Sequence, residues 1–266
     1  MTETLTRIDQ RDAEASRAPH LSYSRIQKYL TCPEQYRLYY IEGLRSKVES
    51  ASLAFGSIVH LALADFFRHG TDPATTFRQH WEAMRTVELR FPRKESWDGL
   101  RVKGEKLLHA FLSEHRQKLG NVTYVEKAFR LGLSNLDVPF VGTIDLVAEM
   151  DGKRTIVEFK TAAADYEDYE VTLLDQLTAY YLVEPEAEQA SVCVFVKTQK
   201  PKIEWHTARR TPEQVVEYVE KLELVADQID QRNFYKRPGK WCRQCDFLPV
   251  CLGNRKRAQE TLVRIA

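Results

Sequence analysis

What this sequence lacks narrows its possible roles before any motif is read. It has no uninterrupted run of about 18 apolar residues, the length needed to cross a bilayer. The opening stretch MTETLTRIDQRDAEASRAPH is polar and charged, without the apolar segment of a secretory signal. A cytoplasmic protein with no membrane association is therefore expected, with residues 1–20 a disordered leader to a single domain spanning 21–266. Net charge is also missing: 39 basic against 38 acidic side chains leave +1. Overall charge thus announces no polyanionic partner, and any such contact must come from local patches. Cysteine is scarce, with five residues in all, which in a cytosolic chain argues against a disulfide framework and for metal binding or burial. No internal repeat, low-complexity tract or long linker interrupts the 266 residues, and 43% hydrophobic content suffices for a substantial core.

Hydrophobic periodicity and breakers outline the elements. LSYSRIQKYL reads as a Ser-initiated helix, broken at Pro33 before a short Tyr-rich helix. SLAFGSIVHLALADFFRHG is apolar nearly all round, as a buried helix is, and holds His60. Residues 71–120 are helical in pattern, carry no recognisable chemistry and read as a helical insertion. Three strands then follow, the last two joined at Asp151-Gly152, a dipeptide suited to a two-residue hairpin turn. VTLLDQLTAYYLV reads as one amphipathic helix, ASVCVFVKT as a buried strand and KIEWHTA as its partner. Thr211-Pro212-Glu213-Gln214 opens a long helix with a capping box. The segment 232–257 is cysteine-rich, loop-like and basic.

The hairpin concentrates the chemistry. A two-residue loop at Asp151-Gly152 sets Asp145 opposite Glu158, and strand alternation turns Lys160 to the same face as Glu158. Ile144, Leu146, Val157 and Phe159 are expected to form the opposite, apolar face. Two carboxylates facing each other repel, and a divalent cation with hard oxygen ligands relieves the repulsion. Such an ion lowers the pKa of a bound water, and Lys160 can orient that water or offset developing negative charge. On this segment alone, a solvated face with an ordinary salt bridge is an equal reading.

Gly142-Thr143-Ile144-Asp145 with Val157-Glu158-Phe159-Lys160-Thr161 resembles the catalytic motifs of PD-(D/E)XK nucleases, specifically their RecB-like and CRISPR-associated branch. His60 in GSIVHLAL and the Gln176-x-x-x-Tyr180 spacing resemble two further motifs of that branch, in the same chain order. Taken singly, His60 reads as a core histidine, and Gln176 with Tyr180 as helix packing. The resemblance implies an α/β restriction-endonuclease-like core, a mixed central sheet flanked by helices. It also implies Mg²⁺ or Mn²⁺ ligated by His60, Asp145, Glu158 and the backbone carbonyl of Phe159, with Lys160 catalytic and Gln176 and Tyr180 arranging Lys160 or the DNA backbone. The function expected from it is a metal-dependent DNA exonuclease acting on single strands or ends in repair, recombination or CRISPR-type processing. The alternative is a catalytically silent nucleic-acid-binding or adaptor protein on the same fold.

Cys242, Cys245 and Cys251 form C-x2-C-x5-C, and Cys32 lies about 210 residues upstream. Four cysteines suit zinc or an iron–sulfur cluster, and one distant plus three clustered resembles the 4Fe-4S staple of RecB-like nucleases. Zn²⁺ is the alternative, and unligated thiols a third reading. Cys193, inside SVCVFV, reads as a core residue. A staple would gather Arg25, Lys28, Arg37, Arg45 and Lys47 with Lys236, Arg237, Lys240, Arg243, Arg255, Lys256 and Arg257 into a basic surface, with Tyr23, Tyr36 and Tyr40 for base stacking. Tyr23, Arg25, Tyr36, Arg37, Lys240 and Arg243 are the DNA-binding candidates. No G-x-x-x-x-G-K-[ST] loop is present, so unwinding requires a helicase or other partner.

Overall fold

The computed structural model describes residues 19–265. Of the leader expected over 1–20, residues 1–18 lie outside the described residues. His20 is buried, and Leu21 bridges Phe140 in a strand of the main sheet, so this end of the leader is ordered.

Ser22 caps helix α1 (Tyr23–Thr31) by accepting the Arg25 N–H. Cys32 adopts an extended backbone and α2 (Pro33–Tyr36) starts afresh at the proline, running into a π-helical turn, Arg37–Ile41. Short strands β1 (Leu44–Ser46) and β2 (Glu49–Ser50) precede α3 (Ala51–His69), which ends at Gly70 in the left-handed region. Among the described residues α3 is long and apolar enough to span a membrane. Its apolar side chains, including Phe55, Ile58, Val59 and Leu63, are instead spent in the core.

Residues 71–120 hold α4 (Pro73–Ala83), β3 (Leu89–Arg90) and α5 (Trp97–Ala110). The segment also supplies a layer of the fold, because Phe77, Trp81, Leu107 and Phe111 share one cluster with Leu146, Val157, Phe159 and Phe195 of the sheet.

The sheet runs β4 (Val122–Leu131), β5 (Phe140–Met150), β6 (Lys153–Ala162), β7 (Gln189–Val196) and β8 (Lys202–Ala208), in that order. Only β6 and β7 are parallel, because the crossover between them carries helices. Asp151 and Gly152, both at positive φ (54° and 71°), make the β5–β6 turn and set the expected register, Met150 against Lys153 through Leu146 against Val157. The crossover is two helices, α6 (Asp168–Thr172) and α7 (Asp175–Tyr181), where a single one was expected. Leu174 is extended and breaks the run, and Arg210 donates to the carbonyls of Val171 and Leu174 at 3.1 Å each. A capping box at Thr211 starts α8 (Pro212–Asp230) as its sequence predicts. The chain closes with α9 (Leu248–Cys251), α10 (Arg255–Thr261) and β9 (Leu262–Arg264), which pairs antiparallel with β1.

Each face of the sheet therefore carries its own core. Leu146, Val157, Phe159, Cys193 and Phe195 pack on α3–α5, while Val147, Ile156, Val192 and Val194 pack on α6–α7. Ile144 corrects the expected alternation: it lies with Val147 and Ile156, not with Leu146 and Phe159. The slip falls at Asp145. Across from it, Glu126 takes φ 52° between the pairs Val125–Leu146 and Lys127–Ile144. A local kink there breaks the two-residue period.

Candidate active site

The β5–β6 ladder stops at Leu146–Val157, one pair short of Asp145 and Glu158. In place of the next rung, the Phe159 N–H donates to Asp145 Oδ2 at 2.8 Å. A side-chain carboxylate thus substitutes for a backbone carbonyl, satisfying a buried donor while opening the strands. Asp145 Oδ1 lies 3.3 Å from His60 Nδ1 on α3, so the aspartate reaches the helical layer on one face of the sheet.

Glu158 reaches the other layer. Its Oε1 accepts from Lys160 Nζ at 2.6 Å and from Gln176 Nε2 at 2.7 Å, and its Oε2 lies 2.9 Å from the Tyr180 hydroxyl. Lys160 Nζ also donates to Gln176 Oε1 at 2.5 Å. Gln176 Nε2 spends its second proton on the Tyr180 hydroxyl (2.7 Å), which in turn lies 3.0 Å from the Thr143 carbonyl. Gln176 and Tyr180, one turn apart on α7, therefore hold Glu158 and Lys160 from a single helical face. Asp175 anchors that helix by accepting from Lys221 at 2.9 Å and Gln27 at 3.1 Å. Its role was not read from sequence, although an acidic residue in a first helical turn was the available signal.

The charges are coupled. Burial disfavours the carboxylate of Glu158 and the nearby Asp145 adds repulsion, so its pKa is raised. Burial acts on Asp145 in the same sense, but His60 and the Phe159 N–H outweigh it and hold its pKa low. His60, opposed by burial and favoured by Asp145, is raised to about 9. Lys160 stays cationic: burial opposes its charge, and Glu158 more than compensates. Histidine, aspartate, glutamate and lysine thus form one network of alternating charge.

Two carboxylates with an imidazole have the donor chemistry of a site for a hard divalent cation that tolerates one nitrogen. Burial first, and then the Asp145 carboxylate, raise the pKa of Glu158, and a bound cation would act against both. Here those donors are turned towards His60, Lys160, Gln176 and Tyr180, and among the described residues no three His, Cys, Asp or Glu side chains are spaced to hold a metal. Beside the network is a recess of about 160 Å³ lined by Tyr23, Gly142, Thr143, Gln176 and Tyr180. Gly142 is required there, since a Cβ would sit 2.6 Å from the Phe129 ring. Tyr23 is largely withdrawn from water, and burial pushes its phenol up to about 12 against the pull of Lys160.

The cysteines of the two chain segments lie within electrostatic reach of one another, without the spacing of a metal site among the described residues. The thiols of Cys245 and Cys251 are raised, first by burial, and each also feels Cys32 and Cys242. Both ends of the chain are held together by protein contacts: Glu34 N to Tyr235 O at 3.0 Å, Tyr29 Oη to Asn233 O at 2.8 Å, the β1–β9 ladder, and a cluster of Leu38, Phe247 and Leu262. Cys193 is fully buried in the sheet core, as expected.

The expected stacking and basic surface needs correction. Tyr36 is 2% exposed, sandwiched among Tyr29, Tyr40 and Phe234, so its ring is unavailable to a nucleobase. Arg37 is claimed by Glu34 and Glu42, and Arg25 lies on the Tyr40 ring at 4.3 Å. Arg45 packs on Tyr39 at 3.4 Å and Lys236 donates to the Cys251 carbonyl. Lys240 and Arg243, with Arg255, Lys256 and Arg257, remain exposed.

Comparisons with known proteins bear on the fold and the family. The fold aligns with a crystal structure from Eubacterium rectale named "Putative exonuclease", with a TM-score of 0.55 and 15% identity over 89% of this chain and 88% of that one. The crystal structure of SSO0001 aligns more loosely, with a TM-score of 0.39 and 14% identity over 73% of this chain and 94% of that one. No curated protein matches. The family model of the PD-(D/E)XK nuclease superfamily matches residues 20–252, a span holding the whole network of His60, Asp145, Glu158, Lys160, Gln176 and Tyr180. The chain therefore belongs to the PD-(D/E)XK nuclease superfamily, whose nucleases are phosphodiesterases.

Proposed function

We propose that this protein is a divalent-metal-dependent DNA exonuclease of the RecB-like branch, acting on single-stranded DNA or DNA ends in repair, recombination or CRISPR-type processing. The observation that carries the reading is the Lys160 ammonium, clamped between Glu158 and Gln176 beside Asp145 where the β5–β6 ladder opens. His60, Asp145, Glu158 and the Phe159 carbonyl are the ligands proposed for Mg²⁺ or Mn²⁺. When bound, the ion supplies a water of lowered pKa and neutralises charge on the phosphate.

The side chains divide the remaining work. Lys160 Nζ donates to the attacking water or the phosphate oxygen, and Gln176 fixes its direction. Tyr180 and Gln176 orient Glu158, leaving it no free rotamer to search. Asp145 serves twice, as ligand and as the group that keeps the strands apart. The recess lined by Tyr23, Gly142 and Tyr180 borders the place where a strand approaches. For the cysteines we propose a 4Fe-4S cluster ligated by Cys32, Cys242, Cys245 and Cys251. The reading rests on four thiols drawn from both ends of the chain into mutual electrostatic reach, and iron and zinc analysis of the brown or colourless protein decides between cluster and Zn²⁺.

The test is a cleavage assay on end-labelled linear and covalently closed DNA, single- and double-stranded, with Mg²⁺, Mn²⁺ or chelator. Linear single strands should be degraded only with metal, closed circles should resist, and Asp145→Ala should be inert. A folded wild-type protein inert with every ion, or a fully active Asp145→Ala, overturns the reading.

A further inference from the structure

The recess beside the catalytic network has a chemistry of its own. Its volume of about 160 Å³ lies below the roughly 300–1,000 Å³ usual for small-molecule sites, so it admits a single ring system rather than an extended ligand. No charged side chain lines it among the described residues. A phosphate would find no counter-charge there, and a neutral occupant is favoured. The walls are aromatic: Phe129 meets Tyr180 edge to face at 6.4 Å and tilts against Phe140 at 5.9 Å. Phe140 and Tyr180 are buried, Tyr23, Phe129 and Gly142 are half-buried, and Ser24 and Thr143 are exposed, which separates floor from mouth.

Tyr23 is the wall residue that the catalytic network leaves unused. Its hydroxyl has no hydrogen-bond partner among the described residues and is not one of their buried, unpartnered polar atoms, so it faces solvent. Burial raises the phenol to about 12, with Lys160 opposing and Asp175 and Glu158 adding to the shift. The group therefore stays protonated, keeps its donor, and lies within electrostatic reach of the catalytic charges. The floor reaches them directly. Gln176 and Tyr180 line the recess and also hold Glu158 and Lys160 by hydrogen bonds.

We propose that the recess seats one nucleobase of the bound strand, that of the nucleotide flanking the phosphate at the catalytic centre, with Tyr23 and Phe129 as its walls. The proposal rests on the nuclease reading for the identity of the strand. A base held beside Gln176 and Tyr180 fixes the register of the strand and brings one phosphodiester to Lys160, Asp145 and Glu158. The hydroxyls of Tyr23, Ser24 and Thr143 can donate or accept, so the recess senses that a base is present and tolerates which base it is. A paired base must first leave its duplex, which favours single strands and frayed ends.

The experiment follows cleavage, by the full-length protein with Mg²⁺ or Mn²⁺, of a labelled single strand carrying one stable abasic analogue whose position is moved along the sequence. The analogue keeps the phosphate and removes only the base. Wild type should slow about tenfold at the one phosphate beside the gap, the scale of a lost base–aromatic contact, and cut the others normally. Tyr23→Ala should slow by a similar factor on the intact strand and show no further loss at the gap. Tyr23→Phe should keep the gap sensitivity. Ser24→Phe, which sets a ring at the exposed mouth, should abolish it, and Tyr169→Ala, 64% exposed on α6 outside the recess, should not. Wild-type cleavage indifferent to the gap needs no variant, overturns the recess and leaves the nuclease reading standing. Losses that multiply in Tyr23→Ala at the gap also overturn the recess. A wild type inert with both metals overturns the nuclease reading, and the recess falls with it if Tyr23→Ala binds the intact strand in chelator as tightly as wild type.

Discussion

The carboxylate network and the cysteine cluster are assembled in different ways. In the first, residues from α3, β5, β6 and α7 are joined directly by hydrogen bonds of 2.5–3.3 Å, with Glu158 2% exposed at its centre. In the second, backbone pairing and a small apolar cluster bring the segments together. The thiols themselves have little to hold them: Gln35 approaches Cys245 at 3.8 Å, and burial with mutual repulsion disfavours their ionised forms. Folding alone preorganises the first site. In the second, folding brings the segments together and leaves the thiols themselves without a bonded network.

The strongest way to break this comparison is to remove one member from each. Glu158→Ala should lower metal-dependent cleavage by about 10³-fold or more, the scale seen when a preorganised charge-stabilising group is deleted. Its far-ultraviolet circular dichroism should stay native, because Lys160 retains Gln176. Cys32→Ala should do the reverse. Metal content should fall and hydrogen exchange should quicken across residues 232–264, while amides of β5–β7, held by the sheet cores, keep their protection. Equal loss of protection in both regions would show that the cysteines hold the catalytic core as well.

A smaller effect is expected from Tyr180→Phe. The substitution removes the hydroxyl that meets Glu158, Gln176 and Thr143 O but leaves the ring in its core. Cleavage should fall about 10- to 100-fold, as for loss of an orienting hydrogen bond of roughly 1.5–3 kcal/mol to a charged group. kcat should carry more of the loss than KM, which a steady-state assay resolves.

The smallest effect concerns a charge cluster with no part in the chemistry. Glu184, 4% exposed, is held by Lys127 and Arg154, whose hydrogen bonds outweigh burial and lower its pKa. A depressed carboxylate contributes stability that is present above its unfolded value near 4.5 and lost as pH falls through its lower folded value. Urea titrations should therefore separate wild type from Glu184→Gln at neutral pH, and the gap should narrow below pH 4.5. A constant gap would mean the substitution acts through packing. Cleavage at neutral pH should be unaffected.

Much of the carboxylate hairpin was legible in the sequence, and for local reasons. Asp151-Gly152 permits one tight turn, that turn sets the register, and the register brings Asp145 and Glu158 together. The capping box at Thr211 and the break at Pro33 are likewise short-range stereochemistry. The same short-range reasoning missed where distant parts intervene. It put Ile144 on the wrong face because the kink at Glu126 belongs to a different strand, and it ran α6 and α7 together because Arg210, far along the chain, stabilises the break.

Sequence alone thus determined which candidate residues share the hairpin and the spacing that pairs them, since turns, caps and strand alternation act over a few residues. Only the tertiary structure decided which of those groups are free to act. Tyr36 vanished into an aromatic cluster and Arg37 was consumed by two glutamates. Burial and charge pairing depend on neighbours brought from far along the chain, and no local pattern specifies them.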